Sequence, residues 1–224
     1  GYGRKSKGTF SVDLKKHTPR DAGDEAIMLA KRAQVPVVVG INRAQAIAKG
    51  IKEFHIDVAL LDDGFQLKNI KKDMELLVLN GKEDGKNTSL FPLGPYREPC
   101  ERICEADAVL VNKGDIGNKM EDYLKGMPVY RAAYKPAYLY NLKHNLMVHY
   151  NFLKGRTVLA FSGLGDNDSF FSLLREIGAH VVHEIPYPDH YLYTTSDLAR
   201  ISSFRDTEII VTTEKDAVKI ALMK

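Results

Sequence analysis

The sequence contains no tryptophan and only two cysteines among its 224 residues. A disulfide framework is therefore excluded as the basis of the fold. Cys100 and Cys104 are four residues apart, a spacing that suits one face of a helix and could also form half of a metal site. Because no other Cys or nearby His completes a set of ligands, we favour the helix face.

Long uncharged stretches are also missing, and none approaches the roughly 20 apolar residues that a membrane-spanning helix needs. The opening residues, GYGRK, lack the apolar segment of a signal peptide and an initiator Met, which predicts a piece of a longer protein. Hydrophobic residues make up 44% and charged residues 27% of the chain, which excludes long disorder. The length predicts one large domain or two small ones.

The net charge is only +3, and it is unevenly distributed. Residues 1–20 hold six basic side chains and a single acidic one, whereas the rest of the chain is slightly acidic. Such a segment suits an anionic partner (phosphate groups, nucleic acid or an acidic membrane surface), and it equally suits a solvated arm. Charge alone does not choose between them.

Short apolar runs alternate with helical patterns along most of the chain. The predicted strands are 36–41, 58–61, 76–79, 108–111, 129–132, 157–161, 180–185 and 208–212. The predicted helices are 24–33, 43–54, 99–106, 119–125, 169–177, 196–204 and 215–223. Continuous apolar strands between helices indicate an α/β fold with a mainly parallel sheet that is covered on both faces.

One segment, residues 135–153, interrupts this alternation. It is rich in Tyr, Asn and Leu, has no helical periodicity, and is predicted to be a hairpin linker. Residues 1–134 would then form one α/β domain, and residues 154–224 a second, smaller α/β subdomain, with a cleft between them.

Two motifs in the first half carry charged groups that suit phosphate chemistry. In VALLDDGFQ, Asp62 and Asp63 directly follow an apolar run, where a carboxylate is well placed to hold Mg²⁺ on a nucleotide; a plain Asp-Gly turn is the alternative. In FPLGPYREP, a proline-rich loop presents Arg97, which could clamp a phosphate or take part in a salt-bridged turn. The residues alone do not decide whether Arg97 binds a phosphate or belongs to a salt-bridged turn.

Two further motifs contain candidate acid–base groups. His190, in PYPDHY, follows a predicted strand in a loop stiffened by two prolines, and a His fixed by a carboxylate is a common acid–base device. Asp24, in DAGDE, stands at the start of an apolar helix, where an acidic residue is an ordinary helix cap. Local pattern alone favours the cap.

Three observations limit a nucleotide-binding interpretation. The loop GLGDND, which begins at Gly163, lacks the third glycine of a dinucleotide fingerprint. The segment TTEKD fits a capping-box-like helix start from Thr213 to Asp216, and we interpret it as structural. No G-x-x-x-x-G-K-[ST] motif occurs, so the main phosphate cradle of a nucleotide enzyme is missing from this chain.

Taken in order, the motifs resemble one family, the tetraacyldisaccharide 4′-kinases, or lipid A 4′-kinases. The matching segments are GYGRKSKG (1–8), GDE (23–25), DDGFQ (62–66), LGPYREP (93–99), AFSGLG (160–165), YPDHYLYT (187–194) and TTEKDAVK (212–219). Each is weak alone, but the ordered set spans almost the whole chain and is specific. The resemblance implies a P-loop NTPase-like kinase fold.

The resemblance also implies an activity and a set of roles. The family transfers the γ-phosphoryl group of MgATP to the 4′-hydroxyl of a lipid-linked glucosamine disaccharide, at the cytoplasmic face of the bacterial inner membrane. The implied general base is Asp24, paired with His190, which reverses the local interpretation of Asp24 as a cap. The implied metal-site residues are Glu25, Asp62 and Asp63. The implied phosphate- or substrate-binding residues are Tyr2, Arg4, Arg43, Gln66, Arg97 and Glu98.

Two departures from the family pattern stand out. Its P-loop and amphipathic N-terminal segment lie upstream of GYGR and are absent here, so we expect this chain alone to be inactive. Leu67 replaces the His that often follows DDGFQ.

Two other functions are alternatives to the kinase: a phosphate- or nucleic-acid-binding module and a dinucleotide-dependent oxidoreductase. Because no basic patch is interleaved with aromatic residues beyond Tyr2 and Phe10, nucleic acid is not an expected partner.

Overall fold

A computed structural model describes residues 4–81, 89–94, 96–112, 114–144, 146–221 and 223. The helices are α1 (Pro19–Ala22), α2 (Asp24–Arg32), α3 (Arg43–Phe54), α4 (Asn118–Glu121), α5 (Asn167–Glu176), α6 (Thr195–Ser202) and α7 (Glu214–Ile220). The strands are β1 (Phe10–Ser11), β2 (Val38–Val39), β3 (Leu76–Asn80), β4 (Ala108–Asn112), β5 (Val129–Ala132), β6 (Tyr138–Asn141), β7 (Leu146–His149), β8 (Thr157–Ser162), β9 (His180–Pro186) and β10 (Ile209–Val211). Short 3₁₀ helices occupy Cys100–Glu105, Asp122–Leu124 and Tyr150–Leu153.

The chain packs as two compact units. The first consists of residues 1–59 and 137–224, and the second of residues 60–136. Within the first unit, β6 and β7 pair in antiparallel register. The division into domains at 134 and 154 stays a prediction.

A three-stranded parallel sheet, in the order β10-β8-β9, forms the centre of the first unit. Alternate residues of β8 point to opposite faces. Val158 packs against Phe171 of α5 on one face, and Leu159 packs against Ile201 of α6 on the other. Because both faces are covered, the continuous apolar run of β8 is fully buried, as the sequence predicts.

The helices α2 and α7 pack against each other in the same unit. Ala26 and Ile27 of α2 share a small core with Val218 of α7 and Val39 of β2. This packing brings the N-terminal turn of α2, with its two carboxylates, to the lysine-bearing face of α7. The basic segment belongs to this unit, since β1 pairs with β2 in antiparallel register.

The second unit contains a parallel sheet in the order β3-β4-β5. Val109 and Val111 of β4 pack against Ile103 and against Leu124. Leu76 and Val78 of β3 remain exposed, so the expectation of cover on both faces does not hold for this strand. Together the two sheets confirm the α/β class and its parallel strands.

The predicted strand at 58–61 is wrong. This segment has no strand structure, and the side chains of Val58 and Leu60 are 73% and 93% exposed. An apolar run favours an extended backbone, but a strand forms only where a neighbour supplies hydrogen bonds, and no described segment pairs with this one. The predicted helices at 99–106 and 119–125 are tighter than expected, because 3₁₀ turns make up all or part of them.

Candidate active site

The N-terminal turn of α2 holds two carboxylates. Gly23 precedes it with φ of +97°, a conformation that glycine adopts readily and that joins α1 directly to α2. Asp24 is therefore the first helical residue, 7% exposed, and its Oδ1 accepts a hydrogen bond from the Glu25 backbone N–H at 3.0 Å. The positive end of the helix dipole favours carboxylates at this position.

His190 reaches the same point from a distant part of the sequence. Its Nδ1 lies 3.2 Å from Oδ2 of Asp24, across 166 residues of sequence. The His190 backbone has φ of +57°, a left-handed conformation uncommon outside glycine, and its N–H donates to Oδ1 of Asp189 at 2.9 Å. The structure thus brings together the two residues that the family resemblance pairs.

The surroundings of the imidazole indicate which nitrogen carries its proton. Nε2 of His190 lies 3.5 Å from Nζ of Lys215 and 3.7 Å from Oδ2 of Asp189. An ammonium group only donates and a carboxylate only accepts, so neutral His190 fits with a proton on Nδ1, toward Asp24. The imidazole therefore donates from Nδ1 to Asp24, while Nε2 faces Lys215 and Asp189.

Lys215 links the carboxylates around this pair. Its Nζ lies 2.9 Å from Oδ1 of Asp189 and 3.3 Å from Oε1 of Glu25. Partial burial opposes the charge of Lys215, but these two carboxylates outweigh burial and raise its pKa. Burial would likewise raise the pKa of Asp189, yet the hydrogen bond from Lys215 holds it below its ordinary value.

A second lysine of α7, Lys219, also contacts Asp24. Nζ of Lys219 lies 3.5 Å from Oδ2 of Asp24 and 2.9 Å from Oδ1 of Asp216, a fully buried carboxylate. Local pattern identified Asp216 only as a capping residue, and Thr213 is indeed the N-cap of α7. The missed signal is the spacing of Lys215 and Lys219, which places both ammonium groups on one helix face.

The glycine loop after β8 is part of the scaffold of the site. The Gly163 N–H donates to Oδ2 of Asp216 at 2.9 Å. A Cβ atom at Gly163 would stand 3.0 Å from the Pro188 carbonyl oxygen and 3.1 Å from Oδ1 of Asp216. The absence of a side chain therefore lets the His190 loop and α7 both approach the glycine loop closely.

The remaining candidates in the first unit make local contacts. Arg4 donates to the Gly8 carbonyl at 3.1 Å and stacks on Phe10, and its Nη1 is buried without a hydrogen-bond partner in the described part of the chain. Arg43 donates to the Gly40 carbonyl at 3.3 Å. Tyr2 lies outside the described residues.

Five candidates belong to the second compact unit: Asp62, Asp63, Gln66, Arg97 and Glu98. The first four are exposed, and Asp63 has φ of +53° in a turn. Glu98 pairs with Arg102 at 3.0 Å, and the role of Arg97 stays a prediction. Their assembly with the pair of Asp24 and His190 stays a prediction.

No group of three or more His, Cys, Asp or Glu side chains among the described residues could hold a metal ion alone. Mg²⁺ is commonly bound by one or two carboxylates together with phosphate oxygens and water. Glu25, partly exposed beside Asp24, fits such a role, and the exposed carboxylates of Asp62 and Asp63 have the same hard oxygen donors. No helix in the described parts of the chain has the length and apolar character to cross a bilayer.

Comparison with known proteins identifies relatives along the whole chain. The family model described as LpxK, tetraacyldisaccharide-1-P 4′-kinase, matches residues 1–224. A tetraacyldisaccharide 4′-kinase of Bradyrhizobium sp. is 37% identical over 98% of this chain, and one of Syntrophus aciditrophicus is 30% identical over all of it. The crystal structure of LpxK from Aquifex aeolicus in complex with ATP covers 100% of this chain with a TM-score of 0.72 and 32% identity.

These relatives are longer than the chain. It spans 64% of the Bradyrhizobium protein, 66% of the Syntrophus protein and 69% of the crystallised Aquifex chain. The family match nevertheless extends from the first to the last residue and includes the motifs that supply Asp24, His190 and the two lysines of α7. The chain therefore belongs to the LpxK family of tetraacyldisaccharide-1-P 4′-kinases.

Proposed function

We propose that the full-length gene product is a kinase that transfers the γ-phosphoryl group of ATP to the 4′-hydroxyl of tetraacyldisaccharide 1-phosphate. One observation carries the proposal: the contact of 3.2 Å between Oδ2 of Asp24 and Nδ1 of His190. It joins the two motifs to which the family resemblance assigns proton transfer. The names of the relatives supply the substrate and the class of reaction.

The chemistry of the transfer needs such a pair. A sugar hydroxyl is a weak nucleophile at neutral pH, so a base must accept its proton as the new O–P bond forms. In the proposed mechanism the Asp24 carboxylate, held toward His190, accepts that proton. The imidazole orients the carboxylate through the hydrogen bond from its Nδ1.

ATP and Mg²⁺ are the proposed cofactors. Bound Mg²⁺ would neutralise charge on the phosphates during the transfer. Glu25, Asp62 and Asp63 are proposed to lie around the metal and the phosphates. Arg43, Gln66, Arg97 and Glu98 are proposed to contact phosphate or the lipid headgroup.

The basic segment, residues 1–20, is proposed to face the disaccharide and the membrane. Among the described residues nothing pairs with the buried Nη1 of Arg4, a donor that suits an anionic ligand, and Tyr2 is proposed to bind on the same side. We place the protein at the cytoplasmic face of the bacterial inner membrane, where its lipid substrate would be presented, as a peripheral protein that also contacts anionic lipid.

A phosphate-transfer assay on the full-length gene product tests the proposal. With γ-labelled ATP, Mg²⁺ and tetraacyldisaccharide 1-phosphate, we expect label to appear in the lipid, and we expect EDTA to abolish the transfer. A preparation that binds ATP but leaves the lipid unlabelled would contradict kinase activity and favour a phosphate-binding module. Residues 1–224 alone, assayed in parallel, are expected to transfer no label because they contain no P-loop motif.

A further inference from the structure

Lys219 is almost completely buried on the inner face of α7. Its side chain is 5% exposed, and three oxygen atoms surround its ammonium group. Nζ donates a hydrogen bond to the Tyr191 carbonyl at 3.1 Å, and it lies 2.9 Å from Oδ1 of Asp216 and 3.5 Å from Oδ2 of Asp24. The contact with Tyr191 is a hydrogen bond, and the two carboxylate contacts are ion pairs.

Two of these three oxygens belong to the acid–base pair or to its immediate neighbour. Oδ2 of Asp24 is the atom that contacts His190, and Tyr191 directly follows His190 in the loop. The His190 backbone is in the left-handed region, which persists only when surrounding contacts hold it. One ammonium group therefore holds both the carboxylate and the strained loop that carries the imidazole.

We propose that Lys219 is a positioning residue, which fixes Asp24 and the backbone after His190 in the geometry needed for proton transfer. The inference rests on the proposed kinase function and deepens it. Lys219 acts through its neighbours, since its contacts are with Asp24, Asp216, Tyr191 and the ring of Tyr193.

The surroundings of Lys219 explain why a charged group is kept there. Asp216 is fully buried, and its Oδ2 accepts hydrogen bonds from the Gly163 N–H at 2.9 Å and from the Thr213 hydroxyl at 2.8 Å. The Tyr193 ring lies 5.5 Å from Nζ of Lys219 and adds a cation–π contact. A neutral residue at 219 would leave the Asp216 charge buried without an ammonium partner.

A purely structural role for Lys219 is the competing explanation, and a paired substitution separates the two. Lys219→Met alone would leave Asp216 uncompensated, so the protein could fail to fold for that reason. The double variant Lys219→Met/Asp216→Asn removes the buried charges together, and its Asn oxygen can still accept from Gly163. If Lys219 only supports folding, this variant should recover activity together with stability.

The experiment measures steady-state kinetics and thermal unfolding of the full-length protein. For the double variant we expect a melting temperature near that of the wild type, a KM for ATP within about threefold and a kcat reduced by about 10- to 100-fold, because misplaced reacting groups are costly. Lys49→Met is the matched control, since Lys49 pairs with Glu53 on α3 and has no part in the site. A double variant with the wild-type kcat would overturn the proposal.

Should the double variant fail to fold, Lys219→Arg provides the same comparison with the charge retained. A planar guanidinium cannot place its donors as an ammonium does. We expect a kcat reduced by about tenfold at an unchanged KM for ATP, by the same loss of positioning. Wild-type kinetics in a folded Lys219→Arg protein would count against the proposal.

A measurement without turnover separates this inference from the kinase proposal. In ¹⁵N NMR spectra of the imidazole, wild-type His190 should show the neutral form protonated on Nδ1, and the double variant should show a mixture of the two neutral forms. If the wild type transfers no phosphate, the kinase proposal fails, and the NMR comparison still tests positioning. An unchanged imidazole signal in the folded variant would refute the role of Lys219.

Discussion

At the scale of single residues, the contact between Asp24 and His190 suits the proposed proton transfer. Asp24 is nearly buried, whereas the side chain of His190 is 22% exposed, so the carboxylate is shielded and the imidazole is its more accessible partner. Around them, Lys215 lies beside Nε2 of His190, and Lys219 lies beside Oδ2 of Asp24. These contacts hold the two side chains in position before the transfer.

Replacing His190 by Ala should reduce turnover far more than ATP binding. We expect kcat for phosphate transfer to fall by about 100-fold or more, which is the range for a lost acid–base group, with little change in the KM for ATP. Steady-state kinetics on the full-length protein provide the measurement. His183→Ala is the matched control, because His183 forms a similar pair with Asp206 at 2.7 Å on the surface. Equal kcat values in the wild type and His190→Ala would remove His190 from the chemistry.

The sequence predicts the role of a single residue where that role depends only on its neighbours in the chain. Asp24 was a helix cap by local pattern, and only the family resemblance linked it to His190. The partner is 166 residues away, and periodicity contains no such information. The lysines of α7 were missed for the same reason, since a helix face predicts that Lys215 and Lys219 lie together but not which carboxylates they meet.

At the scale of elements, prediction worked where the apolar residues of one segment suffice to bury it. The strand β8 and the helices α2 and α3 lie close to their predicted positions. Residues 58–61 failed because a strand depends on a hydrogen-bonding neighbour, which the run itself does not specify. The helix α6 needs no distant partner at its start, because the contacts that cap it lie within four residues, Thr194 to Asp197.

This start of α6 predicts a dependence of stability on pH. The hydrogen bonds that Asp197 accepts from the Thr194 hydroxyl and backbone N–H lower the pKa of Asp197. A carboxylate whose pKa is lower in the folded protein stabilises it above the unfolded pKa of about 3.9, and the stabilisation disappears as pH falls through the folded value.

The corresponding variant is Asp197→Asn, compared with the wild type by urea unfolding at pH 7 and below pH 4. We expect the variant to be less stable at pH 7 and to lose less stability on acidification, because it has no charge to neutralise. Thr194→Ala, which removes the cap of α6, should cost about 1 kcal/mol at pH 7. Parallel acid curves for wild type and Asp197→Asn would show that the cap does not titrate with folding.

At the scale of the whole molecule, the structure shows where the basic segment of the sequence lies in the fold. The described part of the basic segment is built into the first unit, through β1 and α1, so a solvated arm is not what it forms. Its turn at residues 14–16 presents Leu14, 46% exposed, next to the exposed side chains of Lys15 and Lys16. An apolar side chain flanked by lysines suits contact with an anionic lipid surface.

Binding to vesicles tests this proposed membrane contact. With phosphatidylglycerol/phosphatidylcholine vesicles, full-length protein carrying Lys15→Glu/Lys16→Glu should bind at least about tenfold more weakly, because each basic residue near an anionic surface contributes about 1 kcal/mol. Wild-type binding should weaken as salt rises from about 0.05 to 0.5 M, since salt screens exposed charges. Lys68→Glu/Lys125→Glu makes the same charge change at exposed positions of the second unit. An equal loss in both double variants would mean that net charge, and not the turn at 14–16, governs attachment.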